Sequence, residues 1–227
     1  MCIRDRNRFD FEHPTNIGFS AGPEYNRYFK YQEHQDLLNA PAVIEEVEQR
    51  FAQVFGRRYP GLVEAVQCEG ADYVLVTLGS AAGLVRTVVE SLRAQGLRVG
   101  LLRIRYLRPL PTVVLAAALG NAKAVAVLEK DVSFGAEGTV FTNVNSALQQ
   151  AGVRVPTYDF IGGLGGDDIT PVQVEAIFRT LVRFVSEGAE VPRVSFLGID
   201  GTPGDAASAA SPKDLASDAC RNVKEEN

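Results

Sequence analysis

The sequence has few of the residues that build disulfides, metal sites or clusters. It contains three cysteines, Cys2, Cys68 and Cys220, with no Cys-x-x-Cys pair, and two histidines, His13 and His34. Three scattered thiols are too few for a disulfide framework or a four-thiolate iron–sulfur site. A histidine-based metal site would have to take its other ligands from carboxylates. We therefore expect this chain to bind no metal and no cofactor by itself.

Positive charge and long apolar runs are also scarce. The chain has 23 Lys and Arg residues against 28 Asp and Glu residues, a formal net charge of -5. Nucleic-acid-binding proteins concentrate Lys and Arg on one face, so no nucleic-acid partner is expected. No apolar run approaches the roughly 20 residues of a membrane-spanning helix, and no apolar stretch follows the basic N-terminus. We predict a cytoplasmic protein without a membrane partner.

The two ends of the sequence differ from its middle. Residues 1–6 match neither a targeting signal nor the sequence that follows, and we interpret them as an artefact of truncation or assembly. Residues 200–227 are rich in Gly, Pro, Ala, Ser and Asp. Such a composition cannot bury enough apolar surface to offset the cost of ordering the backbone. These residues are therefore predicted to form a disordered tail.

Residues 7–70 are assigned to a linker segment and an amphipathic helix. Up to about Asn39 the segment is polar and aromatic, without helical or strand periodicity. It contains too many aromatic residues for a free linker, so we expect it to lie against another surface. From Pro41 to Phe55 apolar residues recur at helical spacing, which predicts a helix with Pro41 in its first turn.

Strands and helices alternate from Ala71 to Ser186. Short apolar, β-branched runs predict strands at 73–77, 99–104, 124–128 and 157–161, each buried on both faces. The helical patterns between them, and a last helix opened by Thr170 and Pro171, complete the alternation. We predict an α/β domain over residues 71–190, with three α/β/α layers and a small, mostly parallel sheet.

Three loops are expected to meet at the carboxyl edge of this sheet, where open α/β folds place ligands or partners. They are residues 78–81, 129–138 and 162–171. The two longer loops either cradle a phosphorylated ligand with their glycine amides or form tight turns that pack at an interface; the latter reading is preferred because a Walker lysine is absent. The candidate interface or ligand residues are Gly79, Ser80, Arg105, Asp131, Ser133, Phe134, Gly135, Gly138, Gly163, Gly165, Gly166 and Asp167.

The ionisable residues near these loops have two interpretations each. Asp167 and Asp168 either hold Mg²⁺ or favour the positive end of the following helix, which we prefer. Glu129, with Asp131 and Glu137, lacks a nucleophile or base partner and is assigned to turn and interface hydrogen bonds. The arginines of this region either bind carboxylates across an interface or are solvated, with equal weight. They are Arg103, Arg105 and Arg108.

Two single residues are assigned no chemistry. Ser80 has no G-x-S-x-G elbow and no histidine downstream, which excludes a hydrolase triad. His34 follows an aromatic run, where a packed, hydrogen-bonded role is favoured over catalysis. We therefore predict no catalytic residue in this chain.

Several stretches together resemble the alpha subunit of pyruvate:ferredoxin oxidoreductase and its branched-chain 2-oxoacid relatives. They occur in the order of that family, and EKDVSFGAEG and RPLP resemble the pyruvate-type subunits more than the 2-oxoglutarate type. The stretches are AGPEYNRYFKYQEHQDLLNA, YVLVTLGSAAG, LRVGLLRIRYLRPLP, AVAVLEKDVSFGAEG and FIGGLGGDDITP, which cover most of residues 16–184.

The resemblance implies that residues 71–190 form a transketolase C-terminal-like domain, core domain II. It implies an enzyme that decarboxylates a 2-oxoacid with thiamine diphosphate, iron–sulfur clusters and coenzyme A, none of them held by this chain. The implied partners are an N-terminal domain of the same subunit, beta-, gamma- and delta-type subunits, and ferredoxin. The chain alone is then expected to be inactive, and the resemblance carries over no catalytic residue.

Two other functions fit the sequence. One is a transketolase-like or 2-oxoacid dehydrogenase beta-type subunit, which would pass electrons to lipoamide or to no acceptor. The other is a free-standing module that binds a nucleotide or phosphate at the loops around Gly135 and Gly163. Ferredoxin-dependent turnover separates the first from the oxidoreductase, and saturable binding of a phosphorylated ligand identifies the second.

Overall fold

The computed structural model describes residues 10–14 and 20–199, and these contain one six-stranded sheet covered by helices on both faces. The expectations for residues 1–6 and 200–227 lie outside the described residues. Among the described helices, none combines the length and apolar character needed to cross a bilayer. The predicted α/β fold with a mostly parallel sheet is confirmed.

The sheet has the strand order β1-β3-β2-β4-β5-β6, with β1 antiparallel to β3 and every other pair parallel. The central strands are almost entirely apolar because both of their faces are covered. The strands are β1 (Val63–Val66), β2 (Tyr73–Leu78), β3 (Val99–Ile104), β4 (Ala124–Glu129), β5 (Thr157–Ile161) and β6 (Val194–Phe196).

Four helices cover the sheet, two on each face. Alternate residues of one strand face opposite cores, so that Leu75 packs with the first pair of helices and Val76 with the second. The first pair is α2 (Ala81–Ala94) and α5 (Pro171–Glu187), and the second is α3 (Thr112–Leu119) and α4 (Thr139–Gln150). The three-layer arrangement predicted from the alternating pattern is therefore present.

The start of α5 follows the predicted capping chemistry. Thr170 accepts a hydrogen bond from the backbone N–H of Gln173, and the Gln173 side chain accepts one from the backbone N–H of Thr170. This reciprocal pair satisfies two amides that the helix leaves without intrahelical partners. Pro171 occupies the first turn, where its missing N–H costs nothing.

The fifth helix, α1 (Pro23–Phe55), corrects the prediction for the N-terminal segment. It begins 18 residues before Pro41, which lies inside the helix and not in its first turn. Pro41 removes one hydrogen bond to the carbonyl of Leu37, but Leu37 is exposed, so water can bind that carbonyl. The aromatic residues show no single apolar stripe because no residue of α1 is buried against the sheet.

Two edge strands were not predicted. β1 and β6 lie outside residues 71–190 and contain only four and three residues. Their sequences alternate weakly, and β1 has a single buried residue, Val63. Short strands of this kind are defined by pairing with a neighbour and carry little local signal.

Candidate functional site

The three predicted loops meet at one edge of the sheet. β2, β4 and β5 are neighbouring parallel strands, so the residues that follow them lie side by side. We call this surface, residues 78–81, 130–138 and 162–170, the carboxyl rim. It includes every candidate residue named from the sequence except Arg105, which follows the neighbouring parallel strand β3 at the same edge of the sheet.

A crevice opens in the carboxyl rim between β2 and β4. From β2 the chain passes to β3 on one side and then returns to β4 on the other side, which makes this the topological switch point of the sheet. The crevice has a volume of about 230 Å³, and its surface is mostly apolar. Its lining residues are Thr77, Leu78, Gly79, Ser80, Ala81, Leu128, Glu129, Lys130, Asp131, Val140 and Ile169.

Glu129, the last residue of β4, is committed to the start of α4. Its Oε2 accepts a hydrogen bond from the N–H of Val140, and its Oε1 accepts one from the N–H of Phe141, both at 2.8 Å. A carboxylate in this place satisfies two free amides and favours the positive end of the helix. We predicted turn and interface hydrogen bonds for Glu129. In the structure, its carboxylate binds amides of the first turn of α4, within this chain.

Gly138 is required by the same arrangement. A Cβ placed on this residue would lie 2.3 Å from Cδ of Glu129. Its backbone N–H donates a hydrogen bond to Oδ2 of Asp159 at 2.8 Å. Gly138 therefore lets two carboxyl groups approach the first turn of α4, and a side chain there would displace Glu129.

Asp159 is a buried acid beside the site that the sequence analysis did not single out. It lies inside β5 with no exposed surface, and its Oδ1 has no hydrogen-bond partner among the described residues. Burial raises the pKa of Asp159 to about 7, and the neighbouring charge of Glu129 acts in the same direction. Burial also raises the pKa of Glu129. A charged residue within the apolar run TYDFI was the available signal.

The loop from Lys130 to Gly138 projects from the rim. A turn in which Ala136 N–H donates to the carbonyl of Ser133 holds its tip, and Gly135 takes the left-handed conformation there. Phe134 at this tip is 96% exposed. An aromatic side chain this exposed on an ordered turn is suited to contact a partner surface.

The loop after β5 is built from glycines in the left-handed conformation. Gly163, with φ of 71°, lies under the side chain of Lys130, while Gly165 and Gly166 form a short 3₁₀ helix with Leu164. Asp167 is exposed, and its Oδ1 accepts a hydrogen bond from the N–H of Asp168. Within the described residues, no group of three or more His, Cys, Asp or Glu side chains is placed to hold a metal.

Arg105 follows β3 at the same edge of the sheet, and its side chain contacts α1 and Gly61. It forms an ion pair with Glu48 of α1 and donates a hydrogen bond to the carbonyl of Gly61. Arg103 pairs with Glu64 of β1. Both arginines therefore have carboxylate partners within this chain, and the binding of carboxylates across a subunit interface stays a prediction.

Neither the crevice nor Cys68 fits the cofactors that the resemblance implies for the enzyme. Drug-sized ligands occupy pockets of about 300–1,000 Å³, and the crevice is smaller and carries the carboxylates Glu129 and Asp131. The Cys68 thiol donates a hydrogen bond to the carbonyl of Leu101, and burial raises its pKa to about 11. It is a poor source of the thiolate that an iron–sulfur cluster requires.

The chain is similar to known subunits of 2-oxoacid oxidoreductases. Residues 71–174 match the family model described as pyruvate:ferredoxin oxidoreductase core domain II. The pyruvate synthase subunit PorA of Methanothermobacter thermautotrophicus is 38% identical over 75% of this chain and 43% of that subunit. The ketoisovalerate oxidoreductase subunit VorA of Pyrococcus horikoshii is 37% identical over 79% of this chain and 45% of that subunit.

A solved structure is also similar. It is the 2-oxoglutarate:ferredoxin oxidoreductase from Magnetococcus marinus with 2-oxoglutarate, coenzyme A and succinyl-CoA bound. It is 26% identical, with a TM-score of 0.43, over 59% of this chain and 21% of that chain. This chain spans less than half the length of the two curated relatives described above. Residues 71–174 therefore match core domain II of pyruvate:ferredoxin oxidoreductase, and the chain is similar to subunits of 2-oxoacid:ferredoxin oxidoreductases over most of its length.

Proposed function

We propose that this chain is a non-catalytic core and assembly part of the alpha subunit of a pyruvate-type 2-oxoacid:ferredoxin oxidoreductase. The complete enzyme would decarboxylate pyruvate oxidatively to acetyl-CoA and reduce ferredoxin. Thiamine diphosphate, the iron–sulfur clusters and coenzyme A would be bound by a further domain of the same subunit and by beta-, gamma- and delta-type subunits. Pyruvate is chosen because EKDVSFGAEG and RPLP resemble the pyruvate-type subunits; the pyruvate synthase and ketoisovalerate oxidoreductase subunits are almost equally similar to this chain, at 38% and 37% identity.

The observation that carries the assembly role is the exposed surface of α1. This helix has 33 residues, which corresponds to a length of about 50 Å. Its tyrosines Tyr25, Tyr28 and Tyr31 are all more than half exposed, and so are Leu38, Val43 and Val47. Several exposed aromatic and aliphatic side chains on one helix mark an interaction site.

α1 is fixed where it meets the sheet, so it presents that surface in a defined direction. Glu48 contacts both Arg105 and the backbone N–H of Gly61, and Phe51 packs against the ring of Tyr59. A helix held at one end, with exposed aromatic and aliphatic side chains along its first half, supports docking of a further domain of the same subunit there.

The carboxyl rim supports a second contact. Phe134 and Leu164 are exposed on neighbouring loops, and Leu78 lies at the mouth of the crevice. The nearby ionisable side chains are used within the fold, since Glu129 binds amides and Asp159 is buried. This surface therefore supports apolar packing of a neighbouring subunit, with this chain positioning domains that perform the chemistry.

Co-expression with the missing parts of the complex tests this function. The chain would be produced with the alpha-subunit segment that it does not cover and with beta-, gamma- and delta-type subunits, and the purified complex assayed for pyruvate-dependent, coenzyme-A-dependent reduction of ferredoxin. We expect turnover by the complex and none by the chain alone. Turnover by the isolated chain would overturn the non-catalytic role, and preference for 2-ketoisovalerate would overturn the pyruvate assignment.

Variants of α1 test the assembly surface. The double substitution Tyr28→Asp and Tyr31→Asp should reduce the yield of assembled complex in size-exclusion chromatography by at least tenfold, because two desolvated charges would face the docked domain. Arg154→Asp on the opposite edge of the sheet is the matched control, since Arg154 is exposed and lies far from α1 in the chain. Equal yields from both variants would contradict docking along α1.

A further inference from the structure

Two carboxyl groups from neighbouring strands hold the start of α4. Glu129 at the end of β4 accepts hydrogen bonds from Val140 and Phe141, and Asp159 in β5 accepts one from Gly138, each at 2.8 Å. Both carboxyl groups are buried, with 4% of Glu129 and none of Asp159 exposed. The first turn of α4, and the loop that leads into it, therefore depend on a pair of acids placed side by side.

The surroundings of this pair suit one ionised and one protonated carboxyl group, and not two carboxylates. Both oxygens of Glu129 already accept amide hydrogen bonds, which suits a carboxylate. Asp159 has only one of its oxygens bonded to an amide, and burial together with the charge of Glu129 raises its pKa to about 7. Two adjacent acids in a buried place cannot both ionise without a large electrostatic cost. The proton therefore resides on Asp159.

The surrounding charges add to that cost. Asp131 and Glu137 of the rim loop are both acidic and raise the pKa of Glu129 and of Asp159, respectively. Arg193, just before β6, is the nearby cation: it stacks on the ring of Phe141 and lies 4.0 Å from Glu137, at the exposed side. Lys130 points its side chain over Gly163. Among the described residues, the contacts of both cations therefore lie with groups other than Asp159.

We propose that Glu129 and Asp159 form a proton-controlled latch on the carboxyl rim. With the proton on Asp159, the two carboxyl groups hold the amides of residues 138, 140 and 141 and keep the loop 130–138 closed. When Asp159 loses its proton, two neighbouring buried carboxylates repel each other. Release of the first turn of α4 relieves this repulsion, because both side chains can then be solvated. Since the loop carries Phe134, the latch controls the order of the most exposed aromatic residue of the rim.

The direction of the pH dependence follows from the linkage of protonation to opening. In the open state the two acids are solvated, and Asp159 returns toward the ordinary pKa of about 4 for an aspartate. The closed state is then most stable below about pH 4. It loses stability as the pH rises toward about 7, which is the pKa of Asp159 in the closed state. Above that value opening no longer changes with pH. This behaviour requires no partner subunit and is independent of the assembly role.

Amide hydrogen exchange in the full 227-residue chain tests the latch. Protection factors, corrected for the intrinsic pH dependence of exchange, would be measured by NMR for Gly138, Val140 and Phe141 at pH 5 and pH 8. We expect protection to fall by about tenfold or more between these values. The amide of Gln173 is the internal control, because it donates to the neutral hydroxyl of Thr170 and should not change.

The variant Asp159→Asn separates the latch from general loosening at high pH. Its amide can donate to Glu129 and accept from Gly138, so protection should be retained at pH 8 and show no step between pH 5 and pH 8. The side-chain carboxyl carbon of Asp159 in the unsubstituted chain should titrate near pH 7. A titration below pH 5, or equal losses of protection in both proteins, would overturn the proposal, and the first result needs no variant to fold.

Discussion

Glu48 of α1 and Arg105, which follows β3, form an ion pair with an N–O distance of 2.5 Å in which both side chains are more than four-fifths buried. Both partners also bind Gly61, since its N–H donates to Glu48 and its carbonyl accepts from Arg105. The rings of Tyr59 and Tyr106 lie 5.3 Å and 5.5 Å from the guanidinium. This junction sets the angle at which α1 leaves the sheet.

Replacing Arg105 with alanine should free α1 and destabilise the chain. Glu48, whose side chain is only 13% exposed, would lose its counterion, which we expect to cost roughly 2 to 3 kcal/mol in the free energy of unfolding. Urea denaturation measures that cost. Spin labels at Leu38 on α1 and Val113 on α3, both exposed, should show a broader distance distribution in the variant than in the parent chain.

Arg98→Ala is the matched control for this prediction. Arg98 also pairs with an acid, Asp72, but its side chain is 59% exposed. An exposed pair contributes less than about 1 kcal/mol, so this variant should keep both its stability and the spin-label distances. Equal effects of the two substitutions would show that the junction has no special role.

Gly138→Ala should destabilise the chain through Glu129. The new methyl group would meet the carboxylate at a distance that no packing tolerates, so Glu129 would lose its amide partners while still buried. We expect a loss of about 2 kcal/mol or more in urea denaturation. Gly83→Ala is the control, because Gly83 lies in α2 with open space around it and should gain up to about 1 kcal/mol of helix stability. A loss at Gly83 as large as at Gly138 would contradict the steric explanation.

Local signals predicted the central part of the fold well. The runs at β2, β3, β4 and β5 are apolar and β-branched because helices cover both faces, so their composition alone identifies them. The start of α5 was predicted for a similar reason, since Thr170 and Pro171 satisfy helix-end requirements within a few residues of chain. Elements of this kind are specified by their own sequence.

The features that were not predicted depend on residues far apart in the chain. α1 extends to Pro23 because no core selects one apolar face, so its residues lack the period that marks an amphipathic helix. β6 is defined by pairing with β5. Glu129 and Asp159 are 30 positions apart in the chain, and Arg105 binds Glu48, which is 57 positions away. The rim loops were located correctly because the ends of neighbouring parallel strands must coincide.

The tyrosines of α1 should affect association and not the stability of the sheet. Tyr28→Ser with Tyr31→Ser removes exposed rings only, so the free energy of unfolding of the isolated chain should change by less than about 0.5 kcal/mol per site. The yield of assembled complex in size-exclusion chromatography should decrease. Phe178→Ala, in the fully buried part of α5, is the contrasting control and should cost about 3 to 5 kcal/mol. Unfolding of the tyrosine variant at a much lower urea concentration would contradict the exposed position of these rings.

The stability of the isolated chain should be greatest at about pH 4. The raised pKa of Asp159, caused first by burial, means that the folded chain binds a proton which the unfolded chain releases, so stability falls as pH rises from about 4 to 7. The shift from 3.8 to about 7 corresponds to at most about 4 kcal/mol. Glu64 acts in the opposite direction: its pKa is lowered by Arg86 and Arg103 against the effect of burial, so its contribution is lost as pH falls below the ordinary range of a glutamate. Urea denaturation from pH 3 to pH 9 would measure both the decline in stability with rising pH and the loss of stability at low pH. Asp159→Asn should remove the decline between pH 4 and 7 and leave the loss at low pH, whereas a decline that persists in this variant would assign the effect to other groups.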